Sequence, residues 1–183
     1  DGKKVTGIGD SCFSGNVRLV RVNVPEGVEK IGDYGFECCS RMQKIYLPDS
    51  VRTIGNGAFS GCGSLRMADL NDDITSIGDG AFMACMDLKN IYLPAHLRSL
   101  GKFAFALCEN LAGVTFGGSE IEVIPERAFN ACERLRDVTL PKSVTTIEKR
   151  AFFGCASLSS VSGKGSVTGI GEYAFEGTGV SRI

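Results

Sequence analysis

Phenylalanine recurs along the 183-residue chain at an almost constant interval. Six of the seven intervals between these phenylalanines are 23 residues long, and one is 24 residues long. The residues are Phe13, Phe36, Phe59, Phe82, Phe105, Phe129, Phe152 and Phe175. A fixed period in the twenties is typical of a solenoid, in which each repeat forms one coil that packs against its neighbours. The extra residue falls within residues 117–120, where a surface turn can take an insertion at little cost.

Other apolar residues keep fixed places around each phenylalanine. Aliphatic residues stand eight and five positions before it, and a leucine or methionine usually stands six positions after it. Pairs such as Ile91 and Leu93 follow at nine and eleven positions, and Pro94 illustrates the proline that generally comes next. Because the pair has a period of two, both members lie on one face of a predicted short strand. Proline ends the strand because it has no N–H to donate.

The segment x-Ala-Phe-x-x-Cys-x-x-Leu has apolar residues three positions apart, which predicts a single helical turn in each repeat. The Val-x-x-Ile-Gly segment before it is predicted to be extended or turning, with glycine supplying a bend. We therefore predict a coil with a strand on one side and a bend plus a helical turn on the other. One such coil cannot bury its apolar residues alone, so the coils must stack.

Residues 74–85 (ITSIGDGAFMAC) and 88–94 (LKNIYLP) give a nearly complete repeat. These motifs resemble the BspA-like class of leucine-rich repeats, and the resemblance covers essentially the whole chain. It implies an α/β repeat fold, a right-handed and curved solenoid. One short parallel strand per repeat is expected on the concave side, in one sheet, with short helical turns and bends on the convex side. We expect a single domain over residues 1–183, with seven full repeats and a truncated eighth, as a fragment of a longer protein.

Charge and composition restrict the function. Twenty Lys and Arg residues nearly balance 21 Asp and Glu residues, which leaves a net charge of −1. Nucleic acids and anionic membranes need a basic surface, so neither is expected as a partner. The single histidine is His96, and no nucleophile, zinc or phosphate-loop motif is present. We expect no enzymatic activity, no cofactor, no metal site and no membrane insertion of this segment.

Six of the eight cysteines follow the same period as the phenylalanines: Cys39, Cys62, Cys85, Cys108, Cys132 and Cys155. Metal binding requires thiolates that converge on one point, whereas stacked repeats would place these cysteines in a line. Parallel side chains in register also do not give the torsion angle of a disulfide. We predict that the ladder consists of buried, reduced thiols. Cys12 and Cys38 lie outside the ladder and are also expected to be reduced.

The outward residues of the predicted strands vary from repeat to repeat, which is where a repeat protein can hold a binding site. We predict a partner-binding surface on the concave side, centred on Tyr46, Asp69 and Tyr92. A face that is merely solvated is the alternative, but Tyr and Met are enriched at protein interfaces. The complete predicted surface comprises Arg21, Asn23, Lys44, Tyr46, Met67, Asp69, Asn90, Tyr92 and Thr115.

Proteins similar to the BspA-like class are typically surface-exposed binding or adhesion proteins. The resemblance therefore implies a protein-binding module of a cell-surface or secreted adhesion protein, with a host or matrix protein as its ligand. The alternative is a structural scaffold subunit inside a larger intracellular assembly, with another subunit as its partner. Buried, reduced cysteines fit a reducing compartment but do not exclude the cell surface.

Overall fold

The computed structural model describes residues 4–163 and 167–181. The chain is wound into stacked coils, and these residues contain 15 short strands. In chain order they are β1 Gly7–Ile8, β2 Arg21–Asn23, β3 Lys30–Ile31, β4 Lys44–Tyr46, β5 Thr53–Ile54, β6 Met67–Asp69, β7 Ser76–Ile77, β8 Asn90–Leu93, β9 Ser99–Leu100, β10 Gly113–Phe116, β11 Val123–Ile124, β12 Asp137–Leu140, β13 Thr146–Ile147, β14 Ser160–Gly163 and β15 Gly169–Ile170.

Equivalent strands of successive coils pair in parallel and form two columns. The even-numbered strands, here the long-strand column, form a three-stranded sheet (β2-β4-β6) and a four-stranded sheet (β14-β12-β10-β8). The odd-numbered strands, here the short-strand column, form sheets of five strands (β1 to β9) and three strands (β11 to β15). The parallel strand predicted for each repeat is confirmed. The segment predicted to be extended or turning supplies the second strand.

The long strands do not form the single sheet that was expected. No ladder joins β6 to β8. The interruption coincides with Ala68; at the equivalent inward position, the other long strands have valine or isoleucine. Alanine has a lower strand propensity than valine or isoleucine and buries less apolar area against its neighbours. The short-strand column breaks between β9 and β11, across the one repeat of 24 residues.

The prediction of helical turns is wrong, since the described residues contain no helix. Each of these segments consists of consecutive tight turns whose backbone N–H groups alternate between two kinds of acceptor. Cys85 donates to the Phe82 carbonyl within its own coil at 3.3 Å, whereas Phe82 donates to the Ala104 carbonyl of the next coil at 2.8 Å. An α-helix would use all of these donors internally. The α/β class is therefore replaced by a β-solenoid of stacked parallel-strand coils.

The backbone explains why no helix forms. The residues two positions before and two positions after every repeat phenylalanine have positive φ, as at Gly80 (φ 59°) and Ala84 (φ 56°) around Phe82. A left-handed residue ends a right-handed helix because its own conformation has the opposite hand. Glycine is the natural residue at such a place, yet ten of these positions hold other residues.

The core of the solenoid is a column of stacked phenylalanine rings. Neighbouring rings are nearly parallel, and their centroids lie 5.0–5.6 Å apart. The six central rings are fully buried, and Phe13 and Phe175 at the two ends are partly buried. Most of the predicted valine, isoleucine and leucine positions are also buried, so the predicted core is confirmed. Over the residues described, no helix is long and apolar enough to span a bilayer.

Candidate functional site

The first six residues of the predicted surface come together on the sheet formed by β2, β4 and β6. Arg21, Lys44 and Met67 are register partners along one row. Asn23, Tyr46 and Asp69 are register partners along the second row. The two rows alternate with inward residues such as Ile45, which is fully buried. The sequence pattern therefore assigned these six side chains correctly to the outward face.

The remaining three residues lie on the second sheet of the column. Asn90 and Tyr92 belong to β8, and Tyr92 is the register partner of Thr115 on β10. Because β6 and β8 are not joined by a ladder, Tyr46 and Tyr92 lie on different sheets. The predicted surface is thus two adjacent patches, with Asp69 at the edge of the first patch and Tyr92 at the edge of the second.

The most exposed apolar side chains of the surface lie on either side of this break. Met67 on β6 is 37% exposed and Tyr92 on β8 is 43% exposed, whereas Tyr46 is more covered. Neither exposed residue is needed by the core, which is formed by the inward residues of the same strands. Apolar area is therefore available to a partner at the break between the two sheets.

Tyr92 lies beside two features that the sequence analysis did not identify. A Cβ atom in place of Gly117 would lie 2.9 Å from the Leu93 carbonyl oxygen and would also displace the Tyr92 hydroxyl, so this close approach favours glycine. Partial burial raises the pKa of Tyr92, and the nearby Asp72 carboxylate raises this pKa further. The signal for Asp72 was present in the sequence, because Glu26 and Asp49 occupy the equivalent position in the two preceding repeats.

The turn that follows β6 makes the surroundings of Tyr92 acidic. One Asp72 carboxylate oxygen accepts a hydrogen bond from the Ala95 N–H at 2.9 Å. An Asp73 carboxylate oxygen lies 3.5 Å from Nδ1 of His96. Asp73 also pairs with Arg52, whose Nη2 lies 3.2 Å from an Asp73 carboxylate oxygen. The exposed Asp72 therefore supplies most of the negative charge beside Tyr92. The surface therefore has a basic end at Arg21 and Lys44 and an acidic end near Tyr92.

The cysteine ladder is buried and its thiols are free, as predicted. Each Sγ donates a hydrogen bond to a phenylalanine carbonyl of the preceding coil, with Sγ···O distances of 3.0–3.3 Å. Burial raises the pKa of Cys62 and of Cys108 to about 12, so these thiols stay protonated near neutral pH. Cys12 and Cys38 are exposed and free. No cluster of three or more potential metal ligands occurs within residues 4–163 and 167–181.

The fold is similar to several solved bacterial structures. A leucine-rich repeat protein from Bacteroides ovatus has a TM-score of 0.91 and 33% identity, over 98% of this chain and 46% of that protein. The leucine-rich repeat protein of T. pallidum has a TM-score of 0.70 and 27% identity, and the match covers 97% of this chain and 72% of that protein. A leucine-rich cell surface protein from Faecalibacterium prausnitzii has a TM-score of 0.50 and 23% identity, and the match covers 94% of this chain and 64% of that protein. This match shows a likeness of fold.

The chain thus spans less than half of the Bacteroides ovatus protein. Among curated proteins, none matches it. The sequence profile of the BspA-type leucine-rich repeat region matches residues 2–112 and 53–182, with six copies of the repeat. These two overlapping ranges include nearly all of the coils described above. The chain therefore belongs to the BspA-type leucine-rich repeat proteins.

Proposed function

We propose that the chain is a protein-binding module of a cell-surface adhesion or recognition protein and that it binds through the outward face of the long-strand column. In this proposal the solenoid is right-handed and curved, and the long-strand column lies on its concave side. Residues 1–183 form one domain of a longer protein, whose role is binding rather than catalysis. Membership of the BspA-type repeats supports the proposal, because the family resemblance implies a surface-exposed binding or adhesion protein.

The observation that carries the proposal is the exposed apolar area of Met67 and Tyr92 beside the break between β6 and β8. These side chains occupy outward strand positions, where a polar residue would satisfy the fold equally well. Tyrosine and methionine contribute large contact areas, and both are enriched at protein interfaces. Their exposure therefore favours a binding face over a face that is only solvated.

The charges on the same face indicate the chemistry of the partner. Asp69 and Asp72 flank the exposed tyrosine, so a lysine, arginine or amide group of a partner would be favoured there. Arg21 and Lys44 at the other end would favour a carboxylate. Complementary charge of this kind steers association and selects among partners more than it adds affinity. The expected ligand is a protein whose surface presents an apolar centre between groups of opposite charge.

The second candidate is a scaffold subunit in an intracellular assembly. Six buried thiols with no disulfide among them are compatible with a reducing compartment, and this observation favours the scaffold. A scaffold subunit should copurify from its own cells with fixed partners in constant ratio. A surface protein should instead be accessible on intact cells to an antibody raised against these repeats.

The test compares three proteins immobilised at equal density and exposed to purified matrix, plasma and bacterial surface proteins. They are the wild type, the strand-face variant Tyr46→Ala with Tyr92→Ala, and the control variant Tyr34→Ala with Met86→Ala. The control removes two exposed side chains outside the long-strand column. We expect at least one protein to bind the wild type and the control but not the strand-face variant. Equal capture by all three would show that the strand face is not the binding site.

A further inference from the structure

A second candidate surface lies in the tight turns of the C-terminal coils, outside the long-strand column. A cavity of about 420 Å³ opens there between successive turns. Its apolar walls include Phe103, Leu107 and Phe153, and its basic groups are Arg127 and Arg150. Leu107 is 43% exposed, so the apolar wall is accessible from solvent. We call this feature the arginine cavity.

The backbone at the arginine cavity is unfavourable for the residues that occupy it. Phe103, Arg127 and Arg150 have φ of 57°, 54° and 55°. In two earlier repeats the equivalent position is filled by Gly57 and Gly80. A left-handed conformation is disfavoured for residues other than glycine, and every coil of this solenoid contains it at this position. The C-terminal coils thus carry large side chains where glycine suits the backbone better.

Aromatic rings hold the two guanidinium groups in place. The Arg127 guanidinium carbon lies 5.3 Å from the centroid of the Phe103 ring. The Arg150 guanidinium carbon lies 5.4 Å from the Phe153 centroid and 5.3 Å from the Tyr173 centroid. Stacking on a ring covers the face of a guanidinium and leaves its N–H edge free to donate. Two cations at equivalent positions of adjacent coils therefore line the same cavity.

The chain itself neutralises these cations only in part. Arg127 has one ion pair, a long contact of 3.8 Å to Glu126. In the part of the chain that the structure describes, Arg150 has no ion pair, and Glu172 pairs with Lys149 instead. The Arg150 Nε is the one buried side-chain nitrogen or oxygen of the described residues that has no hydrogen-bond partner. A buried donor without a partner is unfavourable, and a shift of the Arg150 side chain toward an acceptor from outside the chain would satisfy it.

We propose that the arginine cavity binds an acidic peptide segment of a partner protein. A carboxylate of the peptide lies between Arg127 and Arg150 and accepts hydrogen bonds from both, in the planar geometry that guanidinium groups favour. A neighbouring apolar side chain of the peptide packs on Leu107 and Phe103. The apolar walls favour a peptide over a sulfated polysaccharide or free phosphate, because covering these walls lowers the free energy only when the ligand brings apolar area of its own. This surface is separate from the long-strand column and does not depend on the function proposed for it.

The test uses a fluorescein-labelled, end-blocked hexapeptide of alternating leucine and glutamate, titrated by fluorescence anisotropy. The matched probe has glutamine in place of each glutamate. We expect the glutamate peptide to bind the wild type with a Kd lower by about tenfold or more than that of the glutamine peptide. Arg127→Gly combined with Arg150→Gly should raise the Kd by about tenfold or more. This variant should fold at least as well as the wild type, because glycine already occupies the position at Gly57 and Gly80.

Two further variants separate the contributions of charge and apolar contact. Leu107→Gly removes the apolar wall at a residue with φ of 62° and should weaken binding without any change of charge. Arg41→Gln combined with Arg136→Gln removes two exposed arginines elsewhere and should leave the Kd unchanged. The proposal is overturned by equal affinity for the two peptides, by equal losses in both double-arginine variants, or by no peptide binding at all. Binding of heparin without binding of the peptide would also overturn it.

Discussion

The thiol of Cys85 donates a hydrogen bond to the carbonyl oxygen of Phe59 in the preceding coil, with 3.3 Å between Sγ and O. The same carbonyl accepts the backbone N–H of Cys62 at 3.2 Å. Each phenylalanine carbonyl in this ladder thus connects the turn of its own coil to the thiol of the next coil. The ladder position beside each phenylalanine carbonyl requires a small side chain that can donate a hydrogen bond inside an apolar core. A protonated cysteine provides such a side chain.

Burial of the ladder predicts that the protein loses stability at alkaline pH. The pKa of Cys62 and of Cys108 rises from 9.0 to about 12 on burial. Below pH 9 these thiols are protonated in both the folded and the unfolded chain. Between pH 9 and 12 only the unfolded chain loses the protons, so the free energy of unfolding falls as the pH rises.

Urea denaturation at about pH 8.5 and about pH 10.5 should measure this loss. Ionisable groups outside the ladder can also contribute to this loss, so the matched control is Cys62→Ala combined with Cys108→Ala. This variant should be less stable at the lower pH and should lose less stability on going to the higher pH. The same pH dependence in both proteins would contradict the proposed burial of the thiols.

Phe82 tests the stacked core. Its ring is fully buried, and its centroid lies 5.0 Å from that of Phe59 and 5.3 Å from that of Phe105. Phe82→Ala should lower the free energy of unfolding by about 3–5 kcal/mol, because the neighbouring rings are held by their own coils and cannot fill the cavity. Val17→Ala, at an exposed residue of the first repeat, should change it by about 0.5 kcal/mol or less. Calorimetric melting curves that shift equally for the two variants would contradict the interior position of Phe82.

The left-handed turns predict two glycine effects of opposite sign. Ala84 has φ of 56°, and Gly154 occupies the equivalent position with φ of 72°. Ala84→Gly should raise the free energy of unfolding by about 1 kcal/mol, and Gly154→Ala should lower it by about 1 kcal/mol. A methyl group on Gly154 would meet no atom closer than 3.8 Å, so the backbone conformation alone determines the second effect. A helical turn would reverse both signs, since alanine is favoured over glycine in a helix.

The stacking and the core could be predicted from the sequence because both depend on the period. Phe59, Phe82 and Phe105 recur once per coil, and any structure that stacks such coils brings them together. The outward positions of Tyr46 and Tyr92 followed from alternation within each strand in the same way. These predictions needed only the identity of each residue and its place in the repeat.

The turn conformation could not be predicted from the spacing of the residues. Ala81, Phe82 and Cys85 have the spacing of a helical turn, but consecutive tight turns place the same side chains inward. Positive φ is signalled by Gly80, whereas Arg127 at the equivalent position gives no such signal. The arginine cavity was missed for this reason. The break beside Ala68 depends on hydrogen bonds between coils, which the repeat pattern does not report.

The central claim is that the long-strand column binds a protein partner, and the most direct measurement is the Kd of the partner that the immobilised proteins capture. Tyr46→Ala combined with Tyr92→Ala should weaken binding by about 2 kcal/mol or more, which is about 30-fold in Kd, because exposed aromatic side chains carry much of the energy of an interface. Tyr34→Ala combined with Met86→Ala should leave the Kd unchanged, and both variants should melt near the wild-type temperature. An unchanged Kd for the strand-face variant, together with a large loss for the control, would contradict the account and place the binding surface on the turns.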